Sequence, residues 1–172
     1  MKIGLIGDNI NFPSLPLMKI SSYHKTKGDN VKLIDNYIEH FDIAYVSKTF
    51  NLPTISKIKK VEQLSIQADK IIYGGTGFAI EVINGKEIYK KEKDKNLPEE
   101  IEHIYPDYSL YPEYTKSTAY GFLTRGCCNN CDFCIVSKKE GKCSKQVAEL
   151  SEFWREQKKY KVDGRKYISL SR

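Results

Sequence analysis

The sequence predicts an α/β protein: a Rossmann-like parallel sheet over residues 1–85, a connection over 86–117, and the first β/α unit of a barrel from 118 onward. Three observations lead there. Short apolar runs alternate with helical segments to about residue 80, the pattern of an open parallel sheet. A charged, proline-broken stretch follows. Then a strand-like run, Thr118-Ala-Tyr-Gly-Phe-Leu-Thr124, leads straight into a cysteine loop and a helix-like segment. In β/α barrels the chemistry sits on the loops that follow strands.

Taken in order, Lys2-Ile-Gly-Leu-Ile-Gly7 is a short apolar run ending in glycine before Asp8, as a buried parallel strand would be. Residues 9–16 read as a loop by their prolines and asparagines. From 17 to about 27, Leu17, Met18, Ile20 and Tyr23 fit one helix face, and Gly28 serves as the stop. Residues 31–34 and 42–47 form the second and third strands, with a helical turn at 37–40 between them. Residues 48–68 are ambiguous, and Pro53 limits any helix before it. Lys70-Ile-Ile-Tyr is a fourth strand that runs into a glycine loop, Gly74, Gly75, Thr76 and Gly77. Backbone N–H groups in such a loop suit a phosphate or a cofactor tail; a tight turn at a strand end is the alternative.

Residues 86–102 are dense in charge, and Pro98, Pro106 and Pro112 break the pattern. Tyr105, Tyr108, Tyr111 and Tyr114 recur at every third position, which suits a turn-rich segment packed on a surface better than a helix. Beyond the cysteines, Ser144 is placed as the N-cap of a helix to about Lys159, with Val147, Leu150, Phe153 and Trp154 on one face.

Composition bounds the class. With 172 residues, 40% apolar and 29% charged, the chain suits a soluble globular fold with a real core. No apolar run approaches the roughly 20 residues of a membrane helix, and the start lacks a signal-peptide pattern. A cytoplasmic protein with no membrane partner is expected. The formal charge is +6, yet Lys138, Lys139, Lys142 and Lys145 alternate with Glu140 and polar residues without interleaved aromatics. That pattern is a solvated face rather than a nucleic-acid surface.

Four of the five cysteines fall inside residues 127–134, and Cys143 follows. In a reducing compartment such clustering indicates metal rather than disulfides. Cys127, Cys131 and Cys134 have the spacing C-x3-C-x2-C. Iron–sulfur clusters are held by cysteine thiolates, usually four, so three would leave one iron of a 4Fe–4S cluster open. Two other groupings exist. Cys128, Cys131 and Cys134 start a ferredoxin-like C-x2-C-x2-C, but its fourth cysteine and proline are missing. Zinc could take Cys128, Cys131, Cys134 and Cys143, which would make the chain a non-enzymatic zinc-binding or interaction module. His24, His40 and His103 share no metal-like spacing, and Arg125 faces either an anion or solvent.

Cys127, Cys131, Phe133 and Cys134 together spell C-x3-C-x-aromatic-C, and in this the chain resembles the radical S-adenosylmethionine enzymes. The resemblance implies a 4Fe–4S cluster on Cys127, Cys131 and Cys134, with S-adenosyl-L-methionine chelating the open iron and Phe133 beside its adenine. It implies cleavage to methionine and a deoxyadenosyl radical that abstracts hydrogen from an unknown substrate. A reducing partner such as a flavodoxin or ferredoxin is implied too, with Cys128 a spare thiol and Cys143 structural.

The likeness extends to Leu17-Met-Lys-Ile-Ser-Ser-Tyr-His-Lys25, the Gly74–Gly77 loop, Leu97-Pro-Glu-Glu-Ile-Glu102 and Pro106-Asp-Tyr-Ser-Leu-Tyr111, seen in a bacterial and phage group of radical proteins. Their N-terminal region is similar to a cobalamin-binding domain, so cobalamin is a further cofactor to consider. The D-x-H-x-x-G that supplies a lower-axial histidine in many such domains is missing here, and His24 lies within the first predicted helix. The likeness covers about residues 1–157. A full barrel needs several more units of roughly 30 residues, so a partial radical domain, not active alone, is the expectation. The polar tail after about 158 reads as the product of a shifted reading frame.

Overall fold

The structure, a computed structural model, describes residues 1–8, 12–34, 39–50, 58, 65–129 and 131–155. Its centre is a four-stranded parallel sheet of β1 (Lys2–Gly7), β2 (Asn30–Leu33), β3 (Phe41–Ser47) and β4 (Ala68–Gly74), in the order β2-β1-β3-β4. This is the Rossmann-like arrangement the alternation predicts. The apolar run of β1 is continuous because both faces of the strand are covered. Ile3 and Leu5 join Leu17 and Ile20 of helix α1 (Leu15–Thr26) on one face, while Ile6 meets Val46 and Ile58 on the other. The loop expected over 9–16 and the turn over 37–40 fall partly on positions outside the described residues, as does most of 48–67.

His24 on α1 is a structural histidine. It is buried, with Nδ1 2.7 Å from Asp29 Oδ2 and Nε2 2.9 Å from the Tyr45 hydroxyl, and so ties the helix end to β3. His40 stands beside Asp69 and His103 beside Glu152.

Composition alone hid a hairpin. Strands β5 (Ile80–Ile83) and β6 (Lys86–Tyr89) pair antiparallel around Asn84 and Gly85, both at positive φ. Asn-Gly with that geometry is the preferred two-residue hairpin turn. The expected boundary at 85/86 thus lies inside this turn. Ahead of it, Thr76–Ala79 is a short helix, α2.

The expected connection is docked on α1. Leu97 and Ile101, the latter on α3 (Glu99–Glu102), join the cluster around Leu5 and Leu17, while Tyr108 and Tyr111 are buried against Met18. Tyr105 and Tyr114 remain exposed, so the tyrosine series is divided between core and surface. A 3-10 turn (Tyr108–Leu110) and helix α4 (Pro112–Thr115) build this turn-rich segment. Asp107 fastens it: its carboxylate accepts from Ser21 Oγ at 2.6 Å, Lys25 Nζ at 2.6 Å and its own turn's Ser109 N–H at 3.0 Å. Burial pushes the Asp107 pKa up, but those donors outweigh it and hold the carboxyl below the usual range. A carboxylate depressed in the folded state contributes stability above its unfolded pKa and loses it as pH falls through the folded value. Thermal stability of the native chain should therefore fall progressively below about pH 4, and Asp107→Asn should be less stable at neutral pH yet flatter across that acid range.

The C-terminal part departs from expectation. Of 118–124 only the end is strand: β7 (Thr124–Arg125) pairs antiparallel with β8 (Lys145–Gln146), and Val147 N–H donates to Leu123 O at 2.9 Å. The helix expected from Ser144 is not formed over 144–155; a 3-10 turn (Leu150–Glu152) closed by a Glu149–Glu152 capping box stands there instead. The reason is local. Among the described residues β7 pairs with no strand of the parallel sheet, and its backbone groups need partners, which the returning chain supplies. Phe153, expected on a helix face, is buried, its ring packed on the backbone of Gly121, and its carbonyl accepts from Tyr108 Oη at 2.6 Å. The tail after 158 lies outside the described residues.

Candidate metal centre

The cysteine loop leaves β7, passes through helix α5 (Val136–Lys139) and returns into β8. Its base is clamped by one carboxylate. Glu140 accepts from Arg125 Nη1 at 3.0 Å and from Gly126 N–H at 3.1 Å, and Cys127 N–H donates to Gly141 O at 3.2 Å. Gly126 has φ +95°, and a Cβ there would stand 2.1 Å from the Cys143 carbonyl oxygen, so only glycine lets the two ends meet. Arg125 also lies 3.7 Å from Glu102 and stacks 4.6 Å from the Phe122 ring centroid. The anion it faces is the protein's own.

All five thiols are free. Cys127 and Cys134 are half-buried; Cys128, Cys131 and Cys143 are exposed. Cys134 N–H donates to Cys131 O at 3.0 Å, which turns the chain back across Asp132 and Phe133. The Phe133 ring is 92% exposed, an apolar face held out next to the thiols. Asn130 lies outside the described residues. Among the described residues no three His, Cys, Asp or Glu side chains are gathered in a metal-holding group. The donor chemistry nonetheless fits a thiophilic centre: soft, accessible, unblocked thiols on a loop whose base is fixed.

The glycine loop stands at the carboxyl end of β4. Gly77 N–H donates to Lys48 O at 2.9 Å, Lys48 N–H donates to Gly74 O at 3.0 Å, and Phe78 N–H closes onto Gly75 O at 3.1 Å. The loop is laced to the end of β3. Beside it, Asp8 is buried and accepts the N–H groups of Thr49 and Phe50, each at 2.8 Å.

Thr76 is drawn into a socket that sequence reasoning missed. Lys139 Nζ donates to Thr76 Oγ1 and lies 3.0 Å from Asp94 Oδ2, which also accepts from the Tyr89 hydroxyl at 2.7 Å. Burial, and then the Asp94 hydrogen bond, hold the Tyr89 phenol well above its usual range. These residues come from separate stretches of the chain and form no motif, so the sequence held no signal for them. No helix among the described residues is long and apolar enough to cross a membrane. No family model, curated protein or solved structure matches the chain.

Proposed function

We propose that the chain holds a 4Fe–4S cluster on Cys127, Cys131 and Cys134 and serves radical chemistry on S-adenosyl-L-methionine, with a substrate still to be identified. The observation that carries this reading is the C-x3-C-x-aromatic-C spacing on a loop closed at its base, with all of its thiols free. When bound, such a cluster supplies one electron to a ligand at its open iron. The chain's own residues do the rest. Three thiolates bind; the Glu140 clamp fixes the span between Gly126 and Gly141; and Phe133 offers an apolar face that suits a base. The same reading makes Thr124–Arg125 the strand of a first barrel unit. A flavodoxin or ferredoxin would be the reductant.

A second reading has an observation of its own. The β7–β8 pairing brings the Cys143 backbone against Gly126, at the mouth of the loop. That return favours a closed zinc site of Cys128, Cys131, Cys134 and Cys143 with a structural role. Anaerobic reconstitution with iron and sulfide separates the two. The first reading expects a brown protein with about four iron and four sulfide per chain, bleached by air. A colourless protein with stoichiometric zinc overturns it.

A further inference from the structure

The residue that closes helix α5 carries a half-buried ammonium paired with a buried carboxylate. The Lys139 side chain is 19% exposed and that of its partner Asp94 only 4%. An ion pair drawn out of water gives little net stability against the cost of desolvating its charges. In some proteins such a pair serves instead to fix one arrangement. Here the two arrangements it joins are the cysteine loop and the sheet unit.

On the loop side the connection is short and stiff. Lys138 and Lys139 N–H both donate to Ile135 O, at 3.0 and 2.9 Å, and Glu140 N–H donates to Val136 O at 2.8 Å. Cys134 is bonded to Ile135, so the thiol and the ammonium ride on one hydrogen-bonded turn. On the sheet side the socket is built from Thr76 of the glycine loop, Asp94, and Tyr89 of β6. Asp94 Oδ1 is buried without a partner, so the socket's carboxylate depends on Lys139 and Tyr89 through its other oxygen.

We propose that Lys139 is a positioning residue for the cysteine loop: its ammonium, seated between Thr76 and Asp94, sets where Cys134 and Cys131 stand relative to the N-terminal sheet. The inference rests on the cysteine loop being the metal-binding element. It gives Thr76 a role in the site without any ligand on the glycine loop.

The test uses the full chain, anaerobic, as Lys139→Met alone and as Lys139→Met with Asp94→Asn. The single change strands a buried carboxylate and is expected to lower stability. The double change removes both charges, and its unfolding midpoint should return towards that of the native chain. Two further readouts are taken on metal-free and iron-and-sulfide-reconstituted protein: residue-resolved alkylation of each cysteine by iodoacetamide, and iron bound per chain. In the double variant Cys134 should alkylate several-fold faster than in the native chain, with iron uptake reduced, while exposed Cys128 is unchanged. If the double variant is stable and Cys134 reacts at the native rate, the proposal is wrong and the pair is only structural. A native chain that binds no iron, but whose Cys134 is still unmasked in the double variant, would overturn the cluster reading and leave the positioning role standing.

Discussion

Cys127→Ala, Cys131→Ala and Cys134→Ala are each expected to abolish the brown chromophore together with bound iron and sulfide, whereas Cys128→Ala and Cys143→Ala should keep all three. The argument is one of ligand count. A cluster already one protein thiolate short of the usual four has no reserve, so each loss is total rather than graded. The fold should survive every change. Cys128, Cys131 and Cys143 are exposed, and substitutions at such surface positions generally alter stability by no more than about 0.5 kcal/mol. Unfolding curves of those three metal-free variants should therefore overlay that of the native chain within about that margin, while the half-buried Cys127 and Cys134 lose somewhat more. Cys127 and Cys128 are adjacent, which makes them the sharpest pair: the C-x3-C-x2-C reading requires the first and the zinc reading the second. Loss of stoichiometric zinc on changing Cys128 and Cys143, with Cys127→Ala silent, would decide for the structural metal.

The sheet was legible because burial on both faces leaves a mark. Ile3, Leu5 and Ile6 form an unbroken apolar stretch, as a parallel strand flanked on both sides must. The β5–β6 hairpin carried its signal in Asn84-Gly85, but the charge-dense run that begins at Lys86 and continues past Tyr89 reads as connection. The misread helix after Ser144 shows the opposite failure. Val147, Leu150, Phe153 and Trp154 have helical spacing, yet a periodic pattern becomes a helix only if a surface lies along its apolar face. Phe153 packs instead against Gly121 and Val147 pairs with Leu123. The cysteines were legible as a candidate centre from their spacing, which left more than one grouping of them open. Lys139 was not: its partner Thr76 is 63 positions away, and a lysine in a mixed-charge run reads as surface.

Gly75→Ala is expected to be the most damaging single substitution in the glycine loop, and it separates packing from ligand binding there. Gly75 sits at φ 104°, ψ 153°, a region essentially restricted to glycine, where another residue costs of order 1–3 kcal/mol. A Cβ would also stand 2.4 Å from the Lys48 carbonyl oxygen and 3.0 Å from its carbon. That neighbour is backbone, held by its own hydrogen bonds to Gly74 and Gly77, so it cannot rotate away, and overpacking of this kind typically adds about 1–3 kcal/mol. The two terms share one displacement and will not add in full. A loss of roughly 3 kcal/mol, or about 5–15 °C in unfolding midpoint for a chain of this size, is the expected result. Gly85→Ala provides the control. Its φ is also positive, at 73°, but nothing lies within 4 Å of the added Cβ, so only the conformational cost of about 1–2 kcal/mol applies. If Gly75→Ala unfolds no earlier than Gly85→Ala, the contact with Lys48 is not what requires glycine. A cofactor approaching the loop would then be the better reason for it, and hydroxocobalamin titration of the two variants would show it as weakened binding in Gly75→Ala alone.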